Sequence, residues 1–264
     1  MSDKVDVRRN EILKLLERDR VISVNQLAGH LQVSIETIRK DLAALVARDL
    51  VVRVHGGAGL SHPIPRIFDT MTHHNADKKH NVASIAVELI KPGTSIMLED
   101  GSTSYALAQV LCNDKPDLLS TLTVITNSFP ICALFKAGAA CERLFFLGGL
   151  CDSGRQATLG HFASQQLAAF HAQQLFIAPA GISPSLNVVA WASSDAAFQI
   201  EALKCADEKI LMTDSSKFLS SAWLNVAPLE SFDHIVTDME LSDPMMQQLL
   251  RKKLPVYLPE KQSK

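Results

Sequence analysis

The sequence is poor in aromatic residues, lacks long apolar runs and has no regular cysteine spacing. Aromatic side chains make up 6% of its 264 residues, which argues against a protein that binds single strands by base stacking. No apolar run approaches the ~20 residues that a membrane helix needs, and the N-terminus has no apolar signal-peptide core. We therefore expect a cytoplasmic protein without a membrane partner.

The sequence also lacks the spacing of metal and cofactor sites. The cysteines are odd in number and contain no CxxC: Cys112, Cys132, Cys141, Cys151 and Cys205. No carboxylate or cysteine stands at ligand spacing from His73, His74 and His80. We expect reduced thiols, no bound metal and no cofactor.

Composition and charge favour a globular protein of one to two domains. The chain is 47% hydrophobic and 20% charged, with a net charge of -2. Residues 1–60 carry a net charge of +2 and the remainder carries -4, so nucleic acid can be bound only through a local patch. Composition divides the chain into a head at residues 1–57, a linker at 58–77 and a body at 78–264.

The head contains the pattern of three helices. Apolar residues at helical spacing predict the first over residues 8–19. Ser23 and Gln26 form a capping-box pattern before the second helix, and Ser34 is the N-cap candidate of the third. Apolar residues of the third helix fall on one predicted stripe: Ile35, Ile38, Leu42, Leu45 and Val46.

The predicted solvent face of the third helix is small, polar and basic. At about 100° per residue, Lys40 points away from the stripe, Thr37 flanks it and Arg39 lies on the border. This pattern predicts a helix-turn-helix whose third helix enters the major groove of double-stranded DNA. Residues 51–57 predict a wing, in which Arg53, His55 and Gly56 contact a phosphate or the minor groove. A three-helix bundle with solvated charges is the alternative.

Short apolar runs in the body predict an α/β fold with a mainly parallel sheet. They span residues 94–100, 122–128, 143–149, 174–181, 209–216 and 234–238, with helix-like segments between them. Polar turns follow these runs, and ligands bind beyond the carboxyl ends of the strands in such sheets. We therefore expect a small-molecule pocket at that edge.

The richest of these turns joins a predicted strand to a predicted helix. Gly101, Ser102, Thr103 and Ser104 would offer free N–H groups and hydroxyls to an anion such as phosphate, although neither Walker nor GxGxxG spacing is present. Asp100 would accept hydrogen bonds from sugar hydroxyls. The ends of other strands complete the expected site: Thr126, Asn127, Ser128, Gly148, Gly149, Gly181, Asp214 and the cationic Lys217. A plain N-cap turn is the alternative.

Residues 23–58, with the run Thr-Ile-Arg-Lys-Asp-Leu, resemble the DNA-binding head of the DeoR family of bacterial transcriptional repressors. The family signature has two arginines before Asp-Leu, whereas this chain has Arg39 and Lys40; lysine keeps the charge but lacks the bidentate fork. The body resembles the family's effector domain. That resemblance implies a fold like ribose-5-phosphate isomerase and a phosphorylated sugar or polyol as effector.

The resemblance weakens in the middle of the body. Gln173 replaces a common Asp, and Asn187 replaces a common Gly and can still adopt a positive φ. Asp195 and Gln199 replace a common Glu and Lys on the following helix. We interpret this as the loss of a charge pair, which favours an unusual effector or binding mode.

These patterns together predict a repressor of a carbohydrate or polyol operon that a phosphorylated metabolite releases from its operator. One head offers few base contacts, so we expect a homo-oligomer, either a dimer or a tetramer. An isomerase-like enzyme with a DNA-binding appendage is the alternative. Its acid, base and clamp would come from Glu99, Asp100, Asp214 and Lys217, but no histidine stands among these motifs. Repression and activation are both compatible with these residues.

Overall fold

A computed structural model describes residues 2–19, 21–47, 51–54, 57–60, 68–138, 141–240 and 243–258. The chain divides into two compact units, an N-terminal unit at Met1–Arg66 and a C-terminal unit at Ile67–Lys264. Within the described ranges, no helix combines the length and the apolar character needed to cross a membrane.

The N-terminal unit has the predicted helix-turn-helix and hairpin. Its elements are α1 (Ser2–Asp19), β1 (Val21–Ser23), α2 (Val24–Leu31), α3 (Ile35–Ala47), β2 (Val51–Val54) and β3 (Gly57–Leu60). The strands form an antiparallel sheet in the order β1-β3-β2. Strand β1 was not predicted, and it adds a third strand to the hairpin.

Local side-chain hydrogen bonds confirm both predicted helix caps. Ser23 Oγ accepts from the Gln26 N–H at 3.2 Å, and Gln26 Oε1 accepts from the Ser23 N–H at 3.0 Å, which completes a capping box. Gln32 ends α2 in the left-handed conformation, at φ 51°. Ser34 Oγ accepts from the Thr37 N–H at 3.2 Å, so the turn between α2 and α3 is held from both sides.

The buried face of α3 differs from the predicted stripe. Ile38, Leu42 and Leu45 are buried as expected, but Ile35 and Val46 are 42% and 38% exposed. The prediction that all five residues face the core is therefore wrong for these two. Helical spacing centres the buried face on positions 38, 41, 42 and 45, which leaves positions 35 and 46 at its edges.

A buried ion pair joins α1 to α3. Asp41 is 2% exposed and lies on the core side of α3. Its carboxylate accepts from Arg8 Nε at 2.6 Å and from Arg9 Nε at 3.0 Å. Because both arginines belong to α1, this contact fixes the orientation of α3 within the N-terminal unit.

The C-terminal unit is built around a seven-stranded parallel sheet. Its helices are α4 (Phe68–His73), α5 (Ala76–Ala86), α6 (Ser102–Asp114), α7 (Pro116–Thr121), α8 (Phe129–Ala137), α9 (His161–Leu167), α10 (Ser193–Lys204) and α11 (Pro244–Arg251). Its strands are β4 (Ser95–Leu98), β5 (Thr123–Thr126), β6 (Arg143–Phe146), β7 (Leu150–Asp152), β8 (Ala157–Leu159), β9 (Ala172–Ile177), β10 (Gly181–Ile182), β11 (Asn187–Ala190), β12 (Ala206–Met212), β13 (Leu224–Pro228), β14 (His234–Val236) and β15 (Val256–Tyr257).

The order of the large sheet is β15-β14-β12-β9-β4-β5-β6, and every neighbouring pair is parallel. The six predicted runs overlap β4, β5, β6, β9, β12 and β14, so the prediction of a mainly parallel sheet is confirmed. The expectation that all of them are buried is wrong for β6. Phe145 and Phe146 are exposed because β6 is the last strand of the sheet. Two small antiparallel sheets, β7-β8 and β10-β11-β13, were not predicted.

Helices cover both faces of the large sheet, as a parallel sheet requires. In β4, Met97 enters one hydrophobic core, whereas Ile96 and Leu98 enter the other. The Met97 core includes residues of α9, α10 and α11, and the second core includes residues of α5, α6 and α8. Because the helices lie on the two faces, the carboxyl ends of the strands form an uncovered edge of the sheet, which is called the carboxyl edge below.

The segment predicted as a linker, residues 58–77, contains a strand and helical structure. Strand β3 occupies its start, α4 lies near its end, and residues 61–67 are outside the described ranges. Phe68 is 8% exposed, and its ring meets Tyr105 edge-on with centroids 5.2 Å apart. The division after Arg66 falls inside this segment, and the domain limits remain a prediction.

Candidate functional site

The outward face of α3 presents basic side chains. Arg39 and Lys40 are both exposed. At about 100° per residue, Lys40 points away from the buried face that contains Leu42, whereas Arg39 lies at the border of that face. Thr37 is half-buried, and its Oγ1 lies 2.8 Å from Ser34 Oγ. Arg39 and Lys40 can therefore approach DNA directly, whereas Ser34 and Thr37 also hold the start of the helix.

The other DNA-contact assignments fall on the hairpin and on α2. Arg53 is exposed on β2 and stands opposite Ala58 of β3. His55 and Gly56 lie outside the described residues. The Ser23 hydroxyl already accepts a hydrogen bond in its capping box. A DNA phosphate could therefore bind this hydroxyl only in addition to the capping contact. Contact of these residues with DNA stays a prediction.

In the C-terminal unit, the sheet has a topological switch point between β4 and β9. From β4 the chain continues to β5 and β6 on one side, and β9 begins the other half of the sheet. In open α/β sheets, ligands bind outside the carboxyl ends of the strands at such a point. Glu99 follows β4 here, and its Oε1 accepts from the N–H of Ala178, which follows β9, at 2.7 Å.

Glu99 is a buried acid at the centre of the carboxyl edge. It is 3% exposed, and Gln199 Nε2 donates to its two oxygens at 3.2 and 3.1 Å. Burial, aided by the charge of Asp100, raises the pKa of Glu99 to about 8, against the hydrogen bonds from Ala178 and Gln199 and the charge of Arg155. The carboxyl group is therefore mostly protonated at pH 7.

The start of α6 presents the predicted free donors. Gly101 is the N-cap residue at φ 129°, a conformation that favours glycine, and no described side chain caps the helix. The Tyr105 N–H donates to the Gly101 carbonyl at 2.9 Å, which leaves the N–H groups of Ser102, Thr103 and Ser104 ahead of the helical ladder. Ser104 Oγ is buried without a hydrogen-bond partner among the described residues. The arrangement suits an anion.

Arg155, which no sequence pattern indicated, lies beside the start of α6. It lies in the turn between β7 and β8, and its Nε and Nη2 donate to Asp100 Oδ2 at 2.9 and 2.6 Å. Its Nη1 donates to Asp195 at the start of α10. Asp100 Oδ1 accepts from Asn127 Nδ2 at 3.0 Å. Both oxygens of Asp100 thus have protein partners, which the expected bonds to sugar hydroxyls would have to replace.

The residues at the carboxyl end of β5 and directly after it are buried and support the neighbouring strand ends. Thr126, Asn127 and Ser128 have no exposed surface. Asn127 also accepts from the Asp100 N–H at 2.9 Å and donates to the Thr158 carbonyl. Ser128 caps α8. These residues position Asp100 and the strand ends, and their contact with an effector stays a prediction.

The glycines assigned to the site have packing functions. Gln166 bonds both the N–H and the carbonyl of Gly148. Gly149 adopts φ 156° at the start of the β7–β8 hairpin. A Cβ on Gly181 would lie 2.2 Å from the Ser220 Cβ. Only glycine fits position 181 without displacing the loop after β12.

The turn after β12 contains Asp214 and Lys217. Asp214 is fully buried; the N–H of Ser216 donates to its Oδ1 at 2.9 Å, and Oδ2 lacks a partner among the described residues. Lys217 is half-buried in the same turn. Lys78 of α5, which the sequence analysis did not assign, donates to Ser215 Oγ at 2.7 Å. The carboxyl edge therefore has a cation from outside the predicted motifs.

Gln173 and Asn187, two of the departures from the family pattern, have no place at the carboxyl edge. Gln173 Oε1 accepts from the Ser95 N–H at 2.9 Å, at the amino end of β4. The residue with positive φ in the turn before β11 is Leu186, at 60°, so Asn187 does not use the positive φ that it could adopt.

The other two departures, Asp195 and Gln199, belong to the site. Gln199 binds Glu99 as an amide, and Asp195 pairs with Arg155 from the β7–β8 turn. The predicted loss of a charge pair is therefore offset by an ion pair with a different cation. Among the described residues, no group of three or more His, Cys, Asp or Glu could hold a metal.

Comparison with known families covers both units. Residues 8–63 match the DeoR-like helix-turn-helix domain, and residues 74–239 match the DeoR C terminal sensor domain. The chain is 30% identical to the L-fucose operon activator of Haemophilus influenzae, over 90% of this chain and 94% of that protein. It is 29% identical to the lactose phosphotransferase system repressor of Streptococcus mutans, over the same shares.

Among solved structures, the chain is similar to ribose 5-phosphate isomerase A from Methanocaldococcus jannaschii, with 22% identity, 55% of each chain covered and a TM-score of 0.40. The two family matches together span most of the chain, and the relatives cover nearly its whole length. The protein therefore belongs to the DeoR family of DNA-binding transcriptional regulators.

Proposed function

We propose that this regulator represses an operon of carbohydrate or polyol catabolism and is released from its operator by a phosphorylated sugar or related metabolite. The observation that carries the effector class is the start of α6, at the switch point of the sheet. Three N–H groups ahead of the helical ladder meet there with the buried hydroxyl of Ser104, which has no hydrogen-bond partner in the described part of the chain. The printed names of the relatives, a lactose system repressor and an L-fucose operon activator, support a sugar operon.

On the DNA side, α3 enters the major groove. Arg39 and Lys40 contact phosphates or guanine edges, and Arg53 contacts the backbone from the wing. Ile35, the exposed first residue of α3, offers an apolar contact to a thymine methyl group. The residues assigned to DNA in full are Ser23, Ser34, Thr37, Arg39, Lys40, Arg53, His55 and Gly56.

The protein acts as a homo-oligomer. A single α3 reaches few base pairs, so two heads related by symmetry would read half-sites about one helical turn, or a multiple of it, apart. Phosphate contacts release counterions, so operator affinity falls steeply as salt rises. Analytical ultracentrifugation of the full chain, alone and with operator duplex, measures the number of copies.

The effector site comprises the start of α6 and the polar ends of the neighbouring strands. The phosphate lies against the N–H groups of residues 102–104, and the sugar hydroxyls face the edge formed by the turn after β12. The residues assigned to it are Asp100, Gly101, Ser102, Thr103, Ser104, Thr126, Asn127, Ser128, Gly148, Gly149, Gly181, Asp214 and Lys217.

The DNA-binding arm is tested by Lys40→Ala in the full-length protein. An operator duplex is first selected by the wild-type protein from a random pool. We expect roughly tenfold weaker binding and a salt dependence reduced by about one ion, because one phosphate contact is lost. Lys136→Ala, an exposed lysine on α8, is the matched control. Unchanged affinity in Lys40→Ala would remove this residue from the interface.

The effector arm is tested by Ser102→Glu. Thermal shift with a panel of sugar phosphates and polyol phosphates identifies the effector, and release from the selected operator measures induction. The added carboxylate repels an incoming phosphate, so we expect the thermal shift and the release to disappear while operator binding persists. Ser84→Glu, at an exposed position of α5, is the control. Normal induction of Ser102→Glu would place the phosphate elsewhere.

A further inference from the structure

Arg155 is an internal cation placed where an anionic ligand is expected. Asp100, its partner through two hydrogen bonds, immediately precedes the N-cap of α6, so the guanidinium lies at the start of that helix. The Arg155 side chain is 14% exposed. Arginine presents five N–H donors in a planar fork that suits phosphate oxygens. The contacts to Asp100 and Asp195 engage three of these donors.

The two carboxylates that bind Arg155 differ in how firmly other residues hold them in place. Asp100 is bound by Asn127 as well as by Arg155, through both its N–H and its carboxylate. Asp195 has only the hydroxyl of Ser194, at 3.3 Å, besides Arg155 among its described partners. Asp195 also lies in the first turn of α10, where the helix dipole stabilises its negative charge after the pairing is broken. Asp195 is therefore the carboxylate that an anion displaces.

The turn that contains Arg155 also anchors the beginning of the C-terminal unit. The Gly154 carbonyl accepts from the Phe68 N–H at 2.8 Å. Phe68 follows Ile67, the first residue of that unit, and its ring packs against Tyr105 of α6. A movement of the Arg155 turn is thus transmitted by one backbone hydrogen bond to the segment where the chain enters the C-terminal unit.

We propose that Arg155 is a specificity-determining residue of the effector site, which exchanges the carboxylate of Asp195 for the anionic group of the effector and thereby loosens the hold of Gly154 on Phe68. This inference rests on the proposed function, since it requires an anionic effector at the start of α6. It adds the residue that recognises the anion, and it adds the first structural change that effector binding would cause at the beginning of the C-terminal unit.

The test uses full-length protein and inorganic phosphate as the probe. Calorimetric titration compares wild type with Arg155→Lys, Asp195→Asn and the control Arg143→Lys, whose guanidinium bonds the Thr121 carbonyl on an exposed surface. We expect Arg155→Lys to bind phosphate at least about tenfold more weakly, because the bidentate fork is lost. Asp195→Asn binds phosphate several-fold more tightly, because the competing carboxylate is removed. Arg143→Lys binds as wild type does.

Hydrogen–deuterium exchange of the same proteins tests the transmission. At saturating phosphate, we expect the Phe68 amide of the wild type to exchange faster than it does without phosphate. In Arg155→Lys at equal occupancy, we expect phosphate to leave the exchange rate of this amide unchanged. Because the two variants at the site are expected to change affinity in opposite directions, a general folding defect cannot imitate the result.

Each contrary result would exclude a different component of this proposal. Equal phosphate affinity of wild type and Arg155→Lys excludes Arg155 as the anion ligand, and weaker binding by Asp195→Asn excludes the exchange of carboxylates. Unchanged Phe68 exchange at saturation excludes the transmission. In all three cases the proposed effector class still stands, whereas absence of phosphate binding to the wild type overturns that class and this inference together.

Discussion

Replacement of Glu99 by glutamine tests whether the acid at the switch point is neutral in the folded protein. Its pKa of about 8 lies above the usual 4.5 because the carboxyl group is buried. The folded state therefore holds the proton more tightly than the unfolded state does. The associated stability is complete below pH 4.5 and is lost as the pH rises towards 8. Since one pKa unit corresponds to about 1.4 kcal/mol, the upper limit of the loss is about 5 kcal/mol.

Glutamine has the shape of a protonated glutamate and no charge, so Glu99→Gln lacks this pH dependence. Its carbonyl oxygen keeps the bond from the Ala178 N–H, and its amide can donate to Gln199 Oε1, a buried atom without a partner among the described residues. Between pH 5 and pH 8 the variant should gain up to about 4 kcal/mol relative to wild type. For a unit of this size that corresponds to roughly 10 °C in melting temperature.

Differential scanning calorimetry of the full-length protein at several pH values measures this difference. Glu142→Gln, at an exposed position before β6, controls for the loss of one acid from the chain. Melting curves of wild type and Glu99→Gln that run parallel across this pH range would refute the buried neutral acid. A variant less stable than wild type at every pH would instead show that Glu99 is ionised and held by its hydrogen bonds.

Two further substitutions test the packing of each unit. Asp41→Asn removes the charge shared by Arg8 and Arg9, which are about one quarter exposed and can be solvated again; we expect a loss of about 2 kcal/mol, seen by calorimetry as a fall of roughly 10 °C in the N-terminal transition alone. An unchanged transition would mean that this pair contributes nothing to stability. Gly181→Ala forces a methyl group against Ser220 and should destabilise the C-terminal unit by about 1–3 kcal/mol. Addition of Ser220→Gly should recover part of its melting temperature, since the Lys217 carbonyl stays 3.1 Å from the new methyl group; no recovery at all would reject the clash with Ser220.

Local patterns account for the parts of the fold that were predicted. The capping box at Ser23 and the cap at Ser34 depend on residues three positions apart, so sequence alone identifies where α2 and α3 begin. The parallel strands are recognisable because they are buried on both faces and therefore continuously apolar. Strand β10 has two residues, and the residues of β13 are half-buried or exposed, so neither strand leaves a comparable continuously apolar run.

The parts that escaped prediction depend on partners distant in the chain. Arg155 lies 55 residues from Asp100 and 40 from Asp195, and a single arginine in a hairpin turn has no periodicity to mark it. The same holds for Asp41, whose partners lie on another helix. A charged residue within an apolar helical stripe, as Asp41 is, could have indicated a buried ion pair.

The charges around Arg155 restrict what the effector can be. With Glu99 neutral near pH 7, Asp100 and Asp195 share one guanidinium, which leaves an excess of one negative charge. A phosphate entering this arrangement unchanged would be repelled, so binding requires either that a carboxylate withdraws or that the donors of α6 outweigh it. Asn127 keeps Asp100 in place, whereas the dipole of α10 stabilises a released Asp195. Effector affinity and the position of the Arg155 turn are therefore coupled through the same ion pair, as a ligand-operated switch requires.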